Sequence, residues 1–213
     1  MDKSKVDYTL YLVTDRRLMS CATIEESVER AVAGGASVVQ LREKDCSSRE
    51  FYELAVRVKK ITAPKNVPLI INDHIDICLA ADADGVHLGQ KDLPCKEARK
   101  LLGERKIIGV SAALPEEAAK AQADGADYLG VGAAFPTDTK SDTRAVTPEI
   151  ISKIRAAVNI PFVVIGGINS ENIRSLYGLG INGAAVVSAV VAKPDITEAA
   201  RIMRKAAERL SDS

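Results

Sequence analysis

The chain has 213 residues, a length that suits one α/β barrel and leaves no room for two full domains. Hydrophobic residues make up 46% and charged residues 27%, which is enough apolar material for a sizeable core and excludes a disordered chain. Lys plus Arg (29) equals Asp plus Glu (29), a balance that excludes a broad basic surface for nucleic acid but not a local cationic pocket for a small anion.

Short β-rich runs alternate with helical patterns along the chain. The strands are predicted at Thr9–Val13, Ser37–Leu41, Pro68–Ile71, Gly85–Leu88, Ile107–Val110, Tyr128–Val131, Phe162–Ile165 and Ala184–Val187. The helices are predicted between them, at 23–33, 48–62, 74–80, 95–102, 115–124, 147–157, 170–178 and 195–209. Thr23 and Ser170 have the residue type of helix N-caps, and Pro148 suits a first helical position.

This alternation predicts a parallel sheet that is covered by helices and closed as a (β/α)8 TIM barrel, a single domain over residues 1–213. The alternative, an open doubly wound sheet, usually carries G-x-G-x-x-G near its first strand. Here the first strand runs into Val13–Arg17, which contains no glycine. Glycine-bearing turns recur before several strands, and such helix C-caps support the barrel.

No segment indicates secretion or a membrane. The first ten residues are polar, and the uncharged stretch 175–192 is interrupted by glycines, so we expect neither a signal peptide nor a membrane span. Four scattered cysteines without a C-x-x-C pair favour reduced thiols over a metal or redox site. We therefore expect a cytoplasmic enzyme or small-molecule binder.

The active site of such a barrel lies at the C-terminal ends of the strands. At the end of the second strand, side-chain alternation places Gln40, Arg42 and Lys44 on one face and turns the residues between them away. Two cations on one face of a buried strand end indicate an anion site. The alternative is an internal salt bridge, with Glu43 or Asp45 as the partner.

Two carboxylates follow the third and fourth strands. Asp73 and Asp92 could face one another at the barrel mouth and hold Mg2+ together with water and substrate phosphates. The residue types fit helix N-caps equally well, so spacing alone leaves both readings open. We expect His74 to open a helix and His87 to fill the barrel interior.

The later strand ends carry small and hydroxyl residues. Ser111 follows the fifth strand, and the loop 133–143 after the sixth is long and rich in hydroxyls, which predicts either phosphate binding or a solvated lid without a ligand. Gly166 and Gly167 follow the seventh strand and Ser188 follows the eighth. Barrels commonly bind phosphate with these last two loops.

Together these motifs resemble the thiamine phosphate synthase (thiamine-phosphate pyrophosphorylase) family over nearly the whole chain. The motifs are Tyr11–Asp15, Gln40–Lys44, Asn72–Asp73, Gly85–Gln90 with Asp92, Pro136–Lys140 and Val187–Ala189. The resemblance implies a transferase that joins 4-amino-5-hydroxymethyl-2-methylpyrimidine diphosphate to a thiazole or carboxythiazole phosphate and releases diphosphate. It also implies a dissociative substitution in which Mg2+ assists the departure of diphosphate.

The resemblance also implies a role for each matching residue. The pyrimidine diphosphate set is Gln40, Leu41, Arg42, Glu43, Lys44, Asn72, Ser111 and Lys140, of which Arg42, Lys44 and Lys140 are assigned to catalysis. The thiazole phosphate set is Thr137, Asp138, Thr139, Gly166, Gly167, Val187 and Ser188, and the metal ligands are Asp73 and Asp92. The two substrates are the expected partners, without nucleic acid or membrane, and the sequence neither requires nor excludes a homo-oligomer.

One position departs from the family. Ala113 stands where many relatives carry a histidine, which speaks against the related thiazole tautomerases because they need an imidazole there. Two other functions stay open at this point. One is a non-catalytic binder of thiamine phosphate, and the other is a sugar-phosphate isomerase or lyase, which would need a base for proton abstraction.

Overall fold

The computed structural model describes residues 2–137 and 144–211, and within them eight parallel strands close into a barrel in chain order. The strands are β1 (Leu10–Val13), β2 (Val38–Leu41), β3 (Leu69–Asn72), β4 (Gly85–Leu88), β5 (Ile107–Ala112), β6 (Tyr128–Gly132), β7 (Phe162–Ile165) and β8 (Gly183–Val186). The barrel closes where Tyr11 pairs with Ala185, which confirms the predicted fold.

Helices follow most of the strands and cover the outside of the barrel. In the described residues they are α1 (Ile24–Ala33), α2 (Ser48–Thr62), α3 (Ile75–Ala80), α4 (Cys95–Leu102), α5 (Pro115–Ala123), α6 (Pro148–Ala157), α7 (Ser188–Val191) and α8 (Ile196–Ala207). Thr23 and Thr147 accept hydrogen bonds from the third residues of α1 and α6, so both cap their helices. None of the helices described is long and apolar enough to cross a membrane.

The predicted seventh helix, 170–178, is wrong. A five-residue 3₁₀ segment, Asn172–Leu176, occupies this stretch, and Ser170 does not cap it. The side-chain oxygen of Asn169 instead accepts hydrogen bonds from the backbone N–H groups of Glu171 and Asn172. Gly178 follows with a φ of 78°, which cannot continue a helix, and the short helix α7 after β8 was not predicted at all.

The apolar residues of the strands form two layers. Leu10 and Leu12 point outward into the large core between the sheet and the helices. Tyr11, Tyr128 and Val163 belong to a smaller cluster inside the barrel. Because strand side chains alternate, the same backbone fills both layers and carries polar residues into the barrel mouth.

Ion pairs hold the opposite, N-terminal end of the barrel. Arg99 of α4 lies 2.6 Å from the carboxylate of Asp127 and donates hydrogen bonds to the carbonyls of Gly103, Lys106 and Gly125. Both charged side chains are largely buried. This clamp joins α4 to the start of β6 and is well separated from the C-terminal strand ends.

Candidate functional site

A cavity of about 730 Å³ opens at the C-terminal ends of the strands. All eight strands or the loops that follow them contribute to its lining, and we call it the strand-end cavity. A second cavity of about 660 Å³ lies at the N-terminal end, where Arg204 is one of the lining cations. Arg204 is already paired with Asp7 and Glu208, so this second cavity offers a poorer site for an anion.

The end of β2 brings two cations to the strand-end cavity. Gln40, Arg42 and Lys44 all line it, as strand alternation predicts. The guanidinium of Arg42 lies 3.4 Å from the carboxylate of Asp15, which follows β1. The backbone N–H of Arg42 donates to the hydroxyl of the buried Thr14, which fixes the same segment. Arg42 is therefore held in place at the cavity wall.

The intervening residues face elsewhere. Leu41 is fully buried in the outer core, and the carboxylate of Glu43 pairs with Arg16. This corrects the inclusion of Leu41 and Glu43 among the ligand-facing residues, because alternation turns both side chains away. Asp45 pairs with Arg17, so neither of the two carboxylates expected as counter-ions for the cavity cations fills that role for Arg42.

Asp73 and Asp92 both line the strand-end cavity, at the ends of β3 and β4. The side-chain amide of Asn72 donates to Asp73 over 2.7 Å, and the backbone N–H of Gly89 donates to Asp92 over 2.7 Å. Asp73 has a φ of 63°, a conformation that costs free energy for a residue other than glycine. Local contacts thus orient both carboxylates at the same opening.

The alternative role of these carboxylates as helix caps is wrong. The N-cap of α3 is His74, and the N-cap of α4 is Pro94. His74 opens its helix as predicted, although its side chain makes no capping hydrogen bond. Asp73 and Asp92 therefore have no capping task that would explain them.

The residues fit a magnesium ion that is bound partly by the protein and partly by a substrate. Asp73 and Asp92 offer hard carboxylate oxygens on neighbouring strands, the donor type that Mg2+ prefers. Within residues 2–137 and 144–211, no group of three or more His, Cys, Asp and Glu side chains could hold a metal ion by itself. Water and phosphate oxygens would have to complete the coordination shell.

Hydrogen bonds connect five residues in the floor of the cavity, and we call them the interior network. The amide nitrogen of Gln40 donates to the hydroxyl of Tyr11 over 2.8 Å, and that hydroxyl lies 2.6 Å from the hydroxyl of Tyr128. The Tyr128 hydroxyl lies 2.9 Å from Nδ1 of His87, whose Nε2 lies 3.0 Å from the hydroxyl of Ser111. His87 thus faces the interior, as predicted, while the two tyrosines were not identified from the sequence.

The interior network is closely packed. Burial raises the pKa of Tyr11 and, with the added repulsion of its phenolic neighbours, the pKa of Tyr128, so both hydroxyls are protonated at neutral pH. Gly130 makes room for the imidazole, because a Cβ at this position would lie 2.9 Å from Cε1 of His87. The side chain of Gln90 donates to the backbone carbonyl of Ser111 over 2.6 Å and holds the end of β5.

The loops after β7 and β8 form the other side of the cavity. Gly166 and Gly167 have φ values of 99° and 62°, which favour glycine. A Cβ on Gly167 would lie 2.4 Å from the carbonyl oxygen of Pro136, so the loop after β6 rests directly on this turn. Val187 and Ser188 also line the cavity, next to the glycine turn.

The loop after β6 is described only in part. Thr137 lines the strand-end cavity, whereas Asp138, Thr139 and Lys140 lie outside the described residues. After the gap, Arg144 lines the cavity and pairs with Glu117, a residue of α5. These two charged residues were missed, because nothing in the local sequence connects positions 27 residues apart.

Ala113, the position that departs from the family, makes a backbone contact with α5. The backbone N–H of Ala113 donates to the carboxylate of Glu117 over 2.7 Å. The methyl side chain of Ala113 lines the strand-end cavity but brings no group that could transfer a proton.

Comparisons with known proteins agree with this geometry. A family model described as thiamine monophosphate synthase matches residues 10–190. The chain is 53% identical over 209 residues to a thiamine-phosphate synthase of Clostridium botulinum (strain Eklund 17B / Type B), with 98% of each chain covered. It is 59% identical over 198 residues to the thiamine-phosphate synthase of Ruminiclostridium cellulolyticum, covering 93% of this chain and 94% of the relative.

Solved structures give the same result. The thiamine phosphate pyrophosphorylase from Pyrococcus furiosus superimposes with a TM-score of 0.89 at 40% identity, over 96% of this chain and 98% of that one. A 3-hexulose-6-phosphate synthase superimposes with a TM-score of 0.70 at 19% identity, a likeness that extends to the barrel fold alone.

Proposed function

Because the chain belongs to the thiamine monophosphate synthase family, we propose that the strand-end cavity is where a pyrimidine diphosphate and a thiazole phosphate combine. The chain is accordingly a transferase that forms thiamine phosphate. One observation carries the proposal, namely that a single cavity holds cations and carboxylates at the ends of β2 to β4 and a glycine turn at the end of β7. Strand order places these two groups on opposite sides of the barrel mouth.

The side formed by β2 to β4 is the proposed diphosphate subsite. Arg42 and Lys44 would neutralise charge on the diphosphate, with Lys140 from the loop after β6 as a third cation. Asn72 and Ser111 would donate hydrogen bonds to it, and Gln40 would orient the pyrimidine side of the same substrate. The carboxylates of Asp73 and Asp92 would hold Mg2+, which would supply Lewis-acid stabilisation of the leaving diphosphate.

The side formed by β7 and β8 is the proposed thiazole phosphate subsite. Backbone N–H groups at Gly166 and Gly167 can approach a phosphate closely because no side chain intervenes. Val187, Ser188 and Thr137 line the same side. Asp138 and Thr139 are proposed for this subsite from the family resemblance alone.

The chemistry follows from these two subsites. The C–O bond between the pyrimidine CH2 group and the diphosphate breaks, and the electron pair leaves with the diphosphate. Arg42 and Lys44 stabilise that developing charge, and the electron-rich aminopyrimidine stabilises the cationic carbon. The thiazole nitrogen, held in place through its anchored phosphate, then attacks that carbon with its lone pair. No general base is required, which is consistent with Ala113.

A diphosphate release assay tests the proposal. The purified protein should release one diphosphate for each thiamine phosphate formed, only when both substrates are present, and chelation of the divalent ion should stop turnover. Arg17→Ala serves as the control, because this exposed arginine pairs with Asp45 away from the cavity. Binding of thiamine phosphate without any release of diphosphate would instead identify a non-catalytic binder and would contradict the proposal.

A further inference from the structure

The interior network crosses the barrel from β2 to β5 through five polar side chains. Its links are Gln40 to Tyr11, Tyr11 to Tyr128, Tyr128 to His87, and His87 to Ser111. Tyr11 and Tyr128 are essentially inaccessible to solvent, and every member except Tyr128 is part of the lining of the strand-end cavity. Neither tyrosine is needed for the diphosphate or metal contacts described above.

We propose that the interior network has one polarity, so that Tyr11 and Tyr128 hold His87 in the Nε2–H tautomer and the hydroxyl proton of Ser111 points at the bound diphosphate. The tautomer follows from the protein alone, whereas the role of Ser111 towards diphosphate rests on the proposed function. Tyr128, which does not line the cavity, is a positioning residue that acts on the ligand through His87 and Ser111. Tyr11 acts through the same chain of hydrogen bonds from the cavity floor.

The amide of Gln40 sets the polarity. In the structure the amide nitrogen of Gln40, and not its oxygen, faces the hydroxyl of Tyr11, so that hydroxyl accepts and its single proton is left for Tyr128. An amide turned by 180° would accept from Tyr11 and reverse every proton in the network, and this is the outcome that the nitrogen spectrum below distinguishes. With the Gln40 amide in this orientation, the reverse arrangement would have Tyr128 donate to Tyr11 and would leave the Tyr11 proton without an acceptor among the described residues. An unsatisfied buried donor costs free energy, so the first arrangement is favoured. Burial raises the pKa of both phenols, which keeps both protons in place.

The remaining protons are then assigned in turn. The hydroxyl of Tyr128 donates its hydrogen bond to Nδ1 of His87, which must therefore be the unprotonated nitrogen of the ring. Nε2 consequently carries the proton and donates to the oxygen of Ser111. Ser111 keeps its own proton for a group in the cavity, and a phosphate oxygen is a strong acceptor. With the opposite polarity, Ser111 would turn a lone pair towards the anion and repel it.

Nitrogen NMR of 15N-histidine-labelled protein tests this directly, because protonated and unprotonated ring nitrogens resonate far apart. The chain has two histidines, and His74, whose side chain is half exposed, provides an internal reference. The wild-type protein without substrate should show His87 with a protonated Nε2 and an unprotonated Nδ1. A protonated Nδ1 with an unprotonated Nε2 would overturn the proposal.

Variants separate positioning from packing. Tyr128→Phe removes the donor to Nδ1 and should leave His87 in a mixture of tautomers. At comparable populations of the two tautomers, inorganic diphosphate in the presence of Mg2+ should bind about twofold more weakly, because only the Nε2–H fraction turns the Ser111 proton towards the anion. Tyr11→Phe should also mix the tautomers and serves in case Tyr128→Phe does not fold. An unchanged His87 spectrum in the folded variants would overturn the proposal.

Tyr8→Phe is the matched control. The Tyr8 ring lies 4.9 Å from that of Tyr128 in the same interior layer, but its buried hydroxyl has no hydrogen-bond partner among the described residues. Its removal should leave both the His87 spectrum and diphosphate binding unchanged. A tautomer change in Tyr8→Phe as large as in Tyr128→Phe would show that packing alone sets the ring state and would overturn the proposal. The spectra require no turnover, so they can fail independently of the diphosphate release assay.

Discussion

The carboxylate of Asp15 lies 3.4 Å from the guanidinium of Arg42, across the ends of β1 and β2. Both side chains are 14% exposed, so the pair is shielded from solvent, and Arg42 of the pair lines the strand-end cavity. The carboxylate of Asp15 thus holds the guanidinium of Arg42 in one position at the cavity wall. A cation fixed in this way can stabilise charge without reorganising during the reaction.

We predict that Arg42→Ala lowers kcat with the pyrimidine diphosphate by about 10²- to 10³-fold, the range found when one preorganised donor is removed from developing charge. Steady-state kinetics measures this, with Arg17→Ala as the control because Arg17 is 79% exposed and pairs with Asp45. A raised KM with an unchanged kcat would show that Arg42 contributes to substrate binding alone.

Asp73→Asn and Asp92→Asn should each reduce turnover at least about 10²-fold at a fixed Mg2+ concentration, because a neutral amide is a far weaker ligand than a carboxylate. Asn at position 92 can still accept the hydrogen bond from Gly89, so the loop should be retained. Titration of activity with Mg2+ is the measurement, and the exposed Asp76→Asn is the control. Wild-type activity in Asp92→Asn would remove this residue from the metal site.

Gly167→Ala should raise the KM for the thiazole phosphate and destabilise the fold by about 1–3 kcal/mol, because the residue has a positive φ. Its methyl group would also collide with the carbonyl of Pro136. Gly178→Ala is the matched control, since its φ is 78° but a Cβ there meets nothing within 4 Å. It should show a stability loss of about 1 kcal/mol from strain alone and a normal KM. Equal KM values in the two variants would argue against a phosphate at this turn.

Arg99→Ala should lower the free energy of unfolding by about 3 kcal/mol, because it leaves the carbonyls of Gly103, Lys106 and Gly125 without their donor and leaves Asp127 with Lys3 as its one remaining cation among the described residues. The kinetic constants of the folded fraction should stay normal, since Arg99 lies at the N-terminal end of the barrel. Chemical denaturation measures the loss. Lys100→Ala, which removes an exposed pair with Glu97, should change stability by less than about 1 kcal/mol. A similar loss in both variants would show that burial of the Arg99 pair is unimportant.

The sequence identifies what depends on local patterns. Strand alternation places Arg42 at the cavity and turns Glu43 away, and the barrel topology brings Asp73 and Asp92 to one opening. The sequence does not show that Asp15 is the counter-ion of Arg42, because that pairing depends on how the loop after β1 meets β2. The prediction of a helix at 170–178 is wrong because it rests on Ser170 as the N-cap. The side chain that accepts the backbone hydrogen bond there is that of Asn169, the preceding residue.

The contacts of the interior network could not be predicted from the sequence either, because they join residues far apart in the chain. Tyr11 and Tyr128 are 117 positions apart, and each looks like an ordinary aromatic residue on an apolar strand. Their hydroxyls meet because β1 and β6 both point these side chains into the barrel. A period-two pattern predicts the inward direction but not which inward-facing residues touch.

The most direct test of the account is a crystal structure with the pyrimidine diphosphate bound and Mn2+ in place of Mg2+, located by anomalous scattering. We predict one manganese peak beside the carboxylates of Asp73 and Asp92 and next to the diphosphate, with Arg42 in contact with the same diphosphate. A diphosphate bound at the Gly166–Gly167 turn instead, or a manganese ion remote from both aspartates, would contradict it.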